Sequence, residues 1–474
     1  MSDPFSCLDT FPVPPSTLLP PLDTSALPLP AIPIPSHVTS LAGCAAHQIE
    51  LLTQQDEFTV DDEDALDDGF FLCDLRTVCD KLHIWRHLFP HVKPFFALKC
   101  HPDPMIASVL GQSQAAGFDC ASLAEIELAL SSTTSITQDT RQIIYANPQR
   151  AEGALEQALQ LGVRVLTFDG PEELRKIHRI YNQQKEKALK QDNANNSTTI
   201  TNDHEPQMVL RILVPDEHSS VPLGEKFGAP PDQWVSLIQL AVELSLPVVG
   251  VSFHCGSGNH DPTSYVQAIQ LAKEALDTIA KVQLLSTPMP FLLDIGGGYP
   301  GLDGRGGDEN RFRHRNALDP VPGNIFLEHT AVEDGKEHES TAQIAKAVTP
   351  LLRELLDHSD NPIKVVAEPG RYFVEAAFAL CSRIYKVSHE VNGDGTAHYH
   401  YYIAQGVQGV FKDTVLCGET FTPQALCIES ATRDNDTPEL FPSTVHGPSG
   451  EDYDLVCPII DLPKLQVGDW LLFD

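Results

Sequence analysis

Short apolar runs bounded by turn residues alternate along much of the chain with segments whose apolar residues recur at helical spacing. Residues 95–100, 117–121, 143–148, 163–169, 208–214, 247–255, 290–298 and 363–371 read as eight buried strands. Helical patterns occupy most of the gaps, at 123–130, 151–162, 172–183, 231–246, 263–280 and 341–356. Strands that are apolar throughout need cover on both faces. Eight strand and helix alternations therefore predict a closed (β/α)8 TIM barrel, with an open doubly wound sheet as the alternative. The barrel is placed at 76–375.

After Arg371 the pattern changes to alternating and aromatic strands at 398–403, 421–428 and 469–473, separated by Gly and Pro. This predicts a C-terminal β domain over 376–474, completed by an N-terminal segment at 38–75 that includes the run 69–75. The first 37 residues are Pro-rich and lack periodicity, so they are expected to be a disordered or polyproline-like extension. Two polar stretches, 184–207 and 303–341, read as insertions that add nothing to a core.

Composition narrows the class. With 42% hydrophobic residues the 474-residue chain can bury a large core. A net charge of −33 argues against broad contact with nucleic acid or an anionic membrane. No Lys or Arg precedes Arg76, and no apolar run is long enough to span a bilayer, so a cytoplasmic protein without a membrane partner is expected. The closest cysteines, Cys73 and Cys79, suit neither a zinc ribbon nor a redox pair, and no metal site is expected.

The ends of the eight strands carry the chemistry, because catalytic groups collect at the carboxyl ends of barrel strands. Those ends hold Lys99, Asp119, Arg211, His254, the triplet Gly296, Gly297 and Gly298, and Glu368 with Arg371. A lysine inside the apolar run FFALKC would have its pKa depressed by desolvation, making a nucleophilic amine able to form a Schiff base; pairing with a carboxylate is the alternative. His254 precedes Gly256, Ser257 and Gly258, whose backbone donors could face an anion. The glycine triplet lets the backbone approach a phosphate closely, and Arg371 could supply charge. Glu368 could keep a heteroaromatic nitrogen protonated, or simply pair with Arg371. An amine, a phosphate nest, an imidazole and a carboxylate are the parts that pyridoxal 5'-phosphate requires.

The strings PFFALKCHPDP, GFDCASLAEIE, IIYANP, VVGVSFHCGSG, DIGGGYPG and AEPGRYFV strongly resemble eukaryotic ornithine decarboxylase, a pyridoxal-phosphate enzyme of the alanine-racemase-like fold. The resemblance runs from about Gly69 onward, outside the two insertions. It implies that Lys99 holds the cofactor aldehyde, His254 stacks on the ring and Glu368 pairs with the ring nitrogen. It further implies that Ser257, Gly296, Gly297, Gly298, Gly370 and Arg371 hold the phosphate, with Asp119, Glu125 and Arg211 in support. A head-to-tail homodimer with shared active sites acting on a small amino acid is implied as well.

Three departures from the family pattern stand out. Gly450 and Glu451 occupy the places of a cysteine that helps deliver a proton and of the aspartate after it. Gln405 replaces an aspartate that binds the distal amine of ornithine; losing that charge-assisted bond costs on the order of 1.5–3 kcal/mol. The sequence ends at Asp474, before the family's closing strands and a tyrosine that contacts the phosphate, so either the β domain is truncated or the cofactor is held with fewer contacts. Decarboxylation of L-ornithine or a relative, in polyamine or specialised amine synthesis, is the leading expectation. The alternative is a catalytically impaired homologue that regulates polyamine synthesis.

Overall fold

The computed structural model describes residues 44–49, 69–112, 116–132, 142–195, 205–224, 226–284, 289–301, 340–393, 395–416, 418–426 and 439–473. The Pro-rich extension and nearly all of the 303–341 insertion lie outside them. The described residues form two compact units, one holding 75–301 and 340–375, the other 44–49, 69–74 and 376–473.

The first unit is a closed parallel barrel. Its strands are β2 (Val92–Ala97), β3 (Gly117–Cys120), β4 (Ile143–Tyr145), β5 (Val165–Phe168), β6 (Gln207–Arg211), β8 (Val248–Ser252), β10 (Phe291–Asp294) and β11 (Ile363–Ala367), which pairs back to β2. The short strands β7 (Ser219–Val221) and β9 (Ser257–Asn259) pair with each other outside the ring. All eight expected barrel strands are present, which excludes the open sheet. The helices around them include α1 (Leu75–Leu88), α2 (Pro104–Gln112), α3 (Leu123–Ser132), α4 (Glu152–Gln160), α5 (Pro171–Asn195), α6 (Pro231–Glu243), α7 (Pro262–Val282) and α8 (Ser340–His358). The periodicity had not singled out α1 or α2. The polar stretch from 184 is not wholly irregular, because α5 continues to Asn195 after burying Leu174, Ile177 and Ile180 in its first half.

The barrel interior is filled by one layer of apolar side chains, Phe95, Ile144, Val165, Val209, Val249, Leu292 and Val366 among them. Beside α5, the buried Arg150 guanidinium donates to Glu173 at 2.8 Å and to the Tyr145 carbonyl at 3.0 Å, joining β4 to the helix. No sequence pattern signalled this pair.

In the second unit the central strand is β12 (Phe378–Val391), with β13 (Ala397–Ile403), β14 (Gln424–Leu426), β15 (Leu440–His446), β16 (Leu455–Pro463) and β17 (Trp470–Phe473) in the order β14-β17-β12-β13-β15-β16. The N-terminal strand β1 (Phe70–Cys73) pairs antiparallel with β12, Phe70 opposite Cys381. Ala45 and Ile49, on a helical turn, share a core with Ala379, Cys381, Trp470 and Leu472. The β domain is thus completed from the N-terminal side, as expected.

One glycine marks how tightly the barrel closes. Gly250 sits where the β6/β8 ladder skips a residue, and a Cβ there would lie 2.1 Å from the Leu292 carbonyl oxygen of β10. We predict that Gly250→Ala lowers stability by about 1–3 kcal/mol, read as a drop in Tm. An unchanged Tm would mean that the strands can separate freely at this point.

Candidate active site

Side chains alternate across a strand, so the residue two positions after a core residue faces the same interior. Along β10 and β6, Leu292 is followed by Asp294 and Val209 by Arg211; just past β11, Val366 is followed by Glu368. On β3, a Cβ on Gly117 would strike the Phe95 ring, which fixes that face as interior and makes Asp119 the next group along it. One step toward the carboxyl ends, the lining therefore changes from apolar to charged.

Lys99 does not lie within its strand. β2 ends at Ala97, and Lys99 occupies the turn that follows, 43% exposed, with Nζ donating to Asp119 Oδ2 at 2.6 Å. The expected depression of its pKa is therefore overturned. Desolvation does pull the amine down, but the Asp119 and Glu368 carboxylates outweigh it and the net shift is upward. The carboxylate-paired alternative is the one found.

Glu368 is 6% exposed and Asp294 fully buried. Burial, then the Asp119 and Asp294 charges, push Glu368 well above the usual carboxylate range. Burial also raises Asp294, to about 7, against the Gly296 N–H that donates to its Oδ1 at 2.9 Å. Asp294 was not among the expected site residues; its signal was an acid closing the apolar run LLD before three glycines.

His254 follows β8 and accepts the Gly256 N–H at Nδ1, 3.0 Å away. Burial, with Lys99 and Arg211 nearby, holds its pKa well below 6.5, so the ring is neutral and carries its proton on Nε2. Arg211 lies over the Phe227 ring, 4.8 Å from its centroid. Gly296 and Gly298 have φ of +65° and +99°, and a Cβ on Gly298 would lie 2.2 Å from the Gly256 carbonyl. A Cβ on Gly297 would meet the Glu368 carbonyl at 2.6 Å and His254 Nε2 at 2.8 Å. The Gly296 N–H is committed to Asp294, so an anion cradle falls to Gly297 and Gly298, near Ser257 on β9.

The remaining expected residues divide. Gly370 packs against Cys100, and Arg371 opens the short helix α9 (Arg371–Val374), its Nη1 3.6 Å from Glu375 Oε1. Arg371 is thus not at a strand end, because β11 stops at Ala367. Glu125 is a helix cap: its carboxylate accepts the Ala121 N–H and the Ser122 hydroxyl, both at 2.8 Å, at the start of α3. Gln405, Gly450 and Glu451 lie in the β unit. There Ser382 Oγ donates to Gln405 Oε1, Gly450 adopts φ +66° in a turn, and Glu451 is exposed. Asp454 holds that turn, accepting from Val407 N at 2.9 Å and Ser449 Oγ at 2.8 Å.

The barrel mouth suits pyridoxal phosphate on its own geometry. It offers a reachable amine, a buried acid, a neutral imidazole and a glycine loop with no room for side chains. Asp119 Oδ1 and Asp294 Oδ2 are also buried there without an ordinary donor among the described residues. Because Asp119 is the nearest counter-charge to Lys99, Asp119→Asn is expected to lower the lysine pKa. The pH profile of Lys99 acylation, followed by mass spectrometry, should move to lower pH. An unshifted profile would remove Asp119 as the group that holds the proton on Lys99.

Residues 75–375 match the family model described as "Pyridoxal-dependent decarboxylase, pyridoxal binding domain". The chain is 32% identical over 414 residues to antizyme inhibitor 2 of Xenopus laevis, covering 86% of this chain and 76% of the relative. It is 32% identical over 420 residues to ornithine decarboxylase of Panagrellus redivivus, covering 86% and 80%. Among solved structures, the arginine decarboxylase of Paramecium bursaria Chlorella virus, bound to agmatine, superposes with a TM-score of 0.68 at 25% identity, covering 91% of this chain and 93% of that one. With the barrel and its charged mouth, these similarities show that the chain belongs to the pyridoxal-dependent decarboxylases, in the group that resembles ornithine decarboxylase.

Proposed function

We propose that this chain is a pyridoxal-phosphate-dependent carboxy-lyase that removes the α-carboxylate of L-ornithine or a related L-amino acid. The observation that carries this reading is the convergence of Lys99, Asp119, His254 and Glu368 beside the Gly296–Gly298 loop at one barrel mouth. When bound, pyridoxal phosphate supplies a ring that accepts the electrons released as carbon dioxide departs.

The protein's own groups orient that chemistry. Lys99 would be the amine that tethers the cofactor through its aldehyde, and Asp119, bonded to Lys99 Nζ, positions that amine and its proton. Glu368, kept out of water and raised by burial, would face the ring nitrogen and hold a proton there. The neutral His254 imidazole can lie against the ring without adding a competing positive charge. Gly297, Gly298, Ser257, Gly370 and Arg371 would hold the phosphate, and Arg211 would add positive potential. We place the working protein in the cytoplasm as a homodimer, the β domain of one subunit supplying Gln405, Gly450 and Glu451 to its partner.

Gly450 brings no proton donor, and its left-handed turn is built for a residue without Cβ. Proton return to the substrate carbon should therefore be slow or misplaced. In assays with ornithine, aldehyde should accompany the amine product; amine alone, at rates typical of the family, would contradict this.

A second reading, a catalytically impaired regulator of polyamine synthesis, draws support from the Gln405 oxygen already engaged by Ser382 and from the similarity to antizyme inhibitor 2. Cofactor uptake separates the two. The enzyme reading expects a near-visible absorbance band on adding pyridoxal phosphate that is lost in Lys99→Ala. Absence of that band in the unaltered protein would favour the regulator.

A further inference from the structure

We propose that Asp294 is a positioning residue of the barrel-mouth site: one carboxylate oxygen fixes the glycine loop, and the other makes Asp294 and Glu368 share a single proton. The inference rests on the reading of this mouth as the pyridoxal phosphate site.

The loop is held from two sides. The Gly296 N–H donates to Asp294 Oδ1 at 2.9 Å, while the Gly296 carbonyl accepts the Glu368 N–H at 2.7 Å. Only glycine fits in this clasp, because a Cβ there would lie 2.0 Å from the Phe253 carbonyl oxygen and its φ is +65°. Asp294 and Glu368 thus both hold the glycine loop, the first through its carboxylate and the second through its backbone N–H.

The second Asp294 oxygen has a different task. Asp294 Oδ2 is buried with no ordinary donor among the described residues, while the Glu368 carboxyl stands within hydrogen-bond reach of the Asp294 side chain. In the strand register Asp294 stands opposite Val366, and Glu368, two residues on, faces the same interior as a diagonal neighbour. Asp119 makes a third buried carboxylate, and the nearby cations are Lys99, already bonded to Asp119, and Arg211. Two adjacent carboxylates in this position cannot both ionise cheaply, so the pair retains one proton. The upward shifts of both groups, caused first by burial, agree with this.

Two measurements on the full-length chain test the proposal. The first uses protein without cofactor at pH 7, where the infrared spectrum should show a protonated carboxyl C=O stretch. That band should be lost in both Glu368→Gln and Asp294→Asn, since removing either member lets the other ionise. No band in the unaltered protein, or a band that survives Asp294→Asn, overturns proton sharing. The second is the Kd for pyridoxal phosphate. Asn can still accept from Gly296, so Asp294→Asn should stay within about threefold of the unaltered protein while Asp294→Ala weakens binding about tenfold. Equal Kd values for the two variants overturn the loop-fixing role. Failure of the unaltered protein to bind pyridoxal phosphate would instead sink the assignment of the site, which the infrared band does not depend on.

Discussion

A parallel strand covered on both faces can carry charge only where its cover ends, and this constraint organises the barrel. Interior positions are apolar through the middle layer and become Asp119, Arg211, Asp294 and Glu368 one alternate position further on. Each charge costs desolvation energy, so the groups must compensate one another. Lys99 with Asp119, and Asp294 with Glu368, are the two solutions present. The chemistry assigned to this mouth follows from how those pairs divide their protons.

The eight strands were legible because a short apolar run between turn residues has few other uses, and because eight of them in series admit few topologies. Lys99 shows the limit of that reading. Sequence puts it in an apolar run and implies a depressed pKa, but strand β2 stops two residues earlier and the turn delivers the amine to Asp119. Whether a charge is solvated, paired or stranded depends on a partner twenty residues away in the chain, and no local pattern encodes that distance. Asp294 was missed for the same reason: its significance lies in Glu368, on the neighbouring strand. Glu125 is the opposite case, a Ser-x-x-Glu signature whose local capping geometry accounts for both carboxylate oxygens.

In the β unit, Asp454 is the hub that binds the segment after Gln405 to the turn carrying Gly450. Its carboxylate lies below the ordinary range because the Val407 and Ser449 N–H groups and the Ser449 hydroxyl, all donating to the ionised form, outweigh its desolvation. The segment after Gln405 and the turn carrying Gly450 are therefore mechanically connected, and a substitution that disturbs Asp454 would be felt in both.

Strand β1 finds its partner on β12, roughly three hundred residues later in the chain. A ribosome adding about 5–20 residues per second would leave that edge waiting for something like 15 to 60 s while all the barrel strands emerge and close. Unpaired backbone on a hydrophobic strand is a template for mispairing between nascent chains. Synthesis speed and chaperone supply would then bear on the yield of this protein.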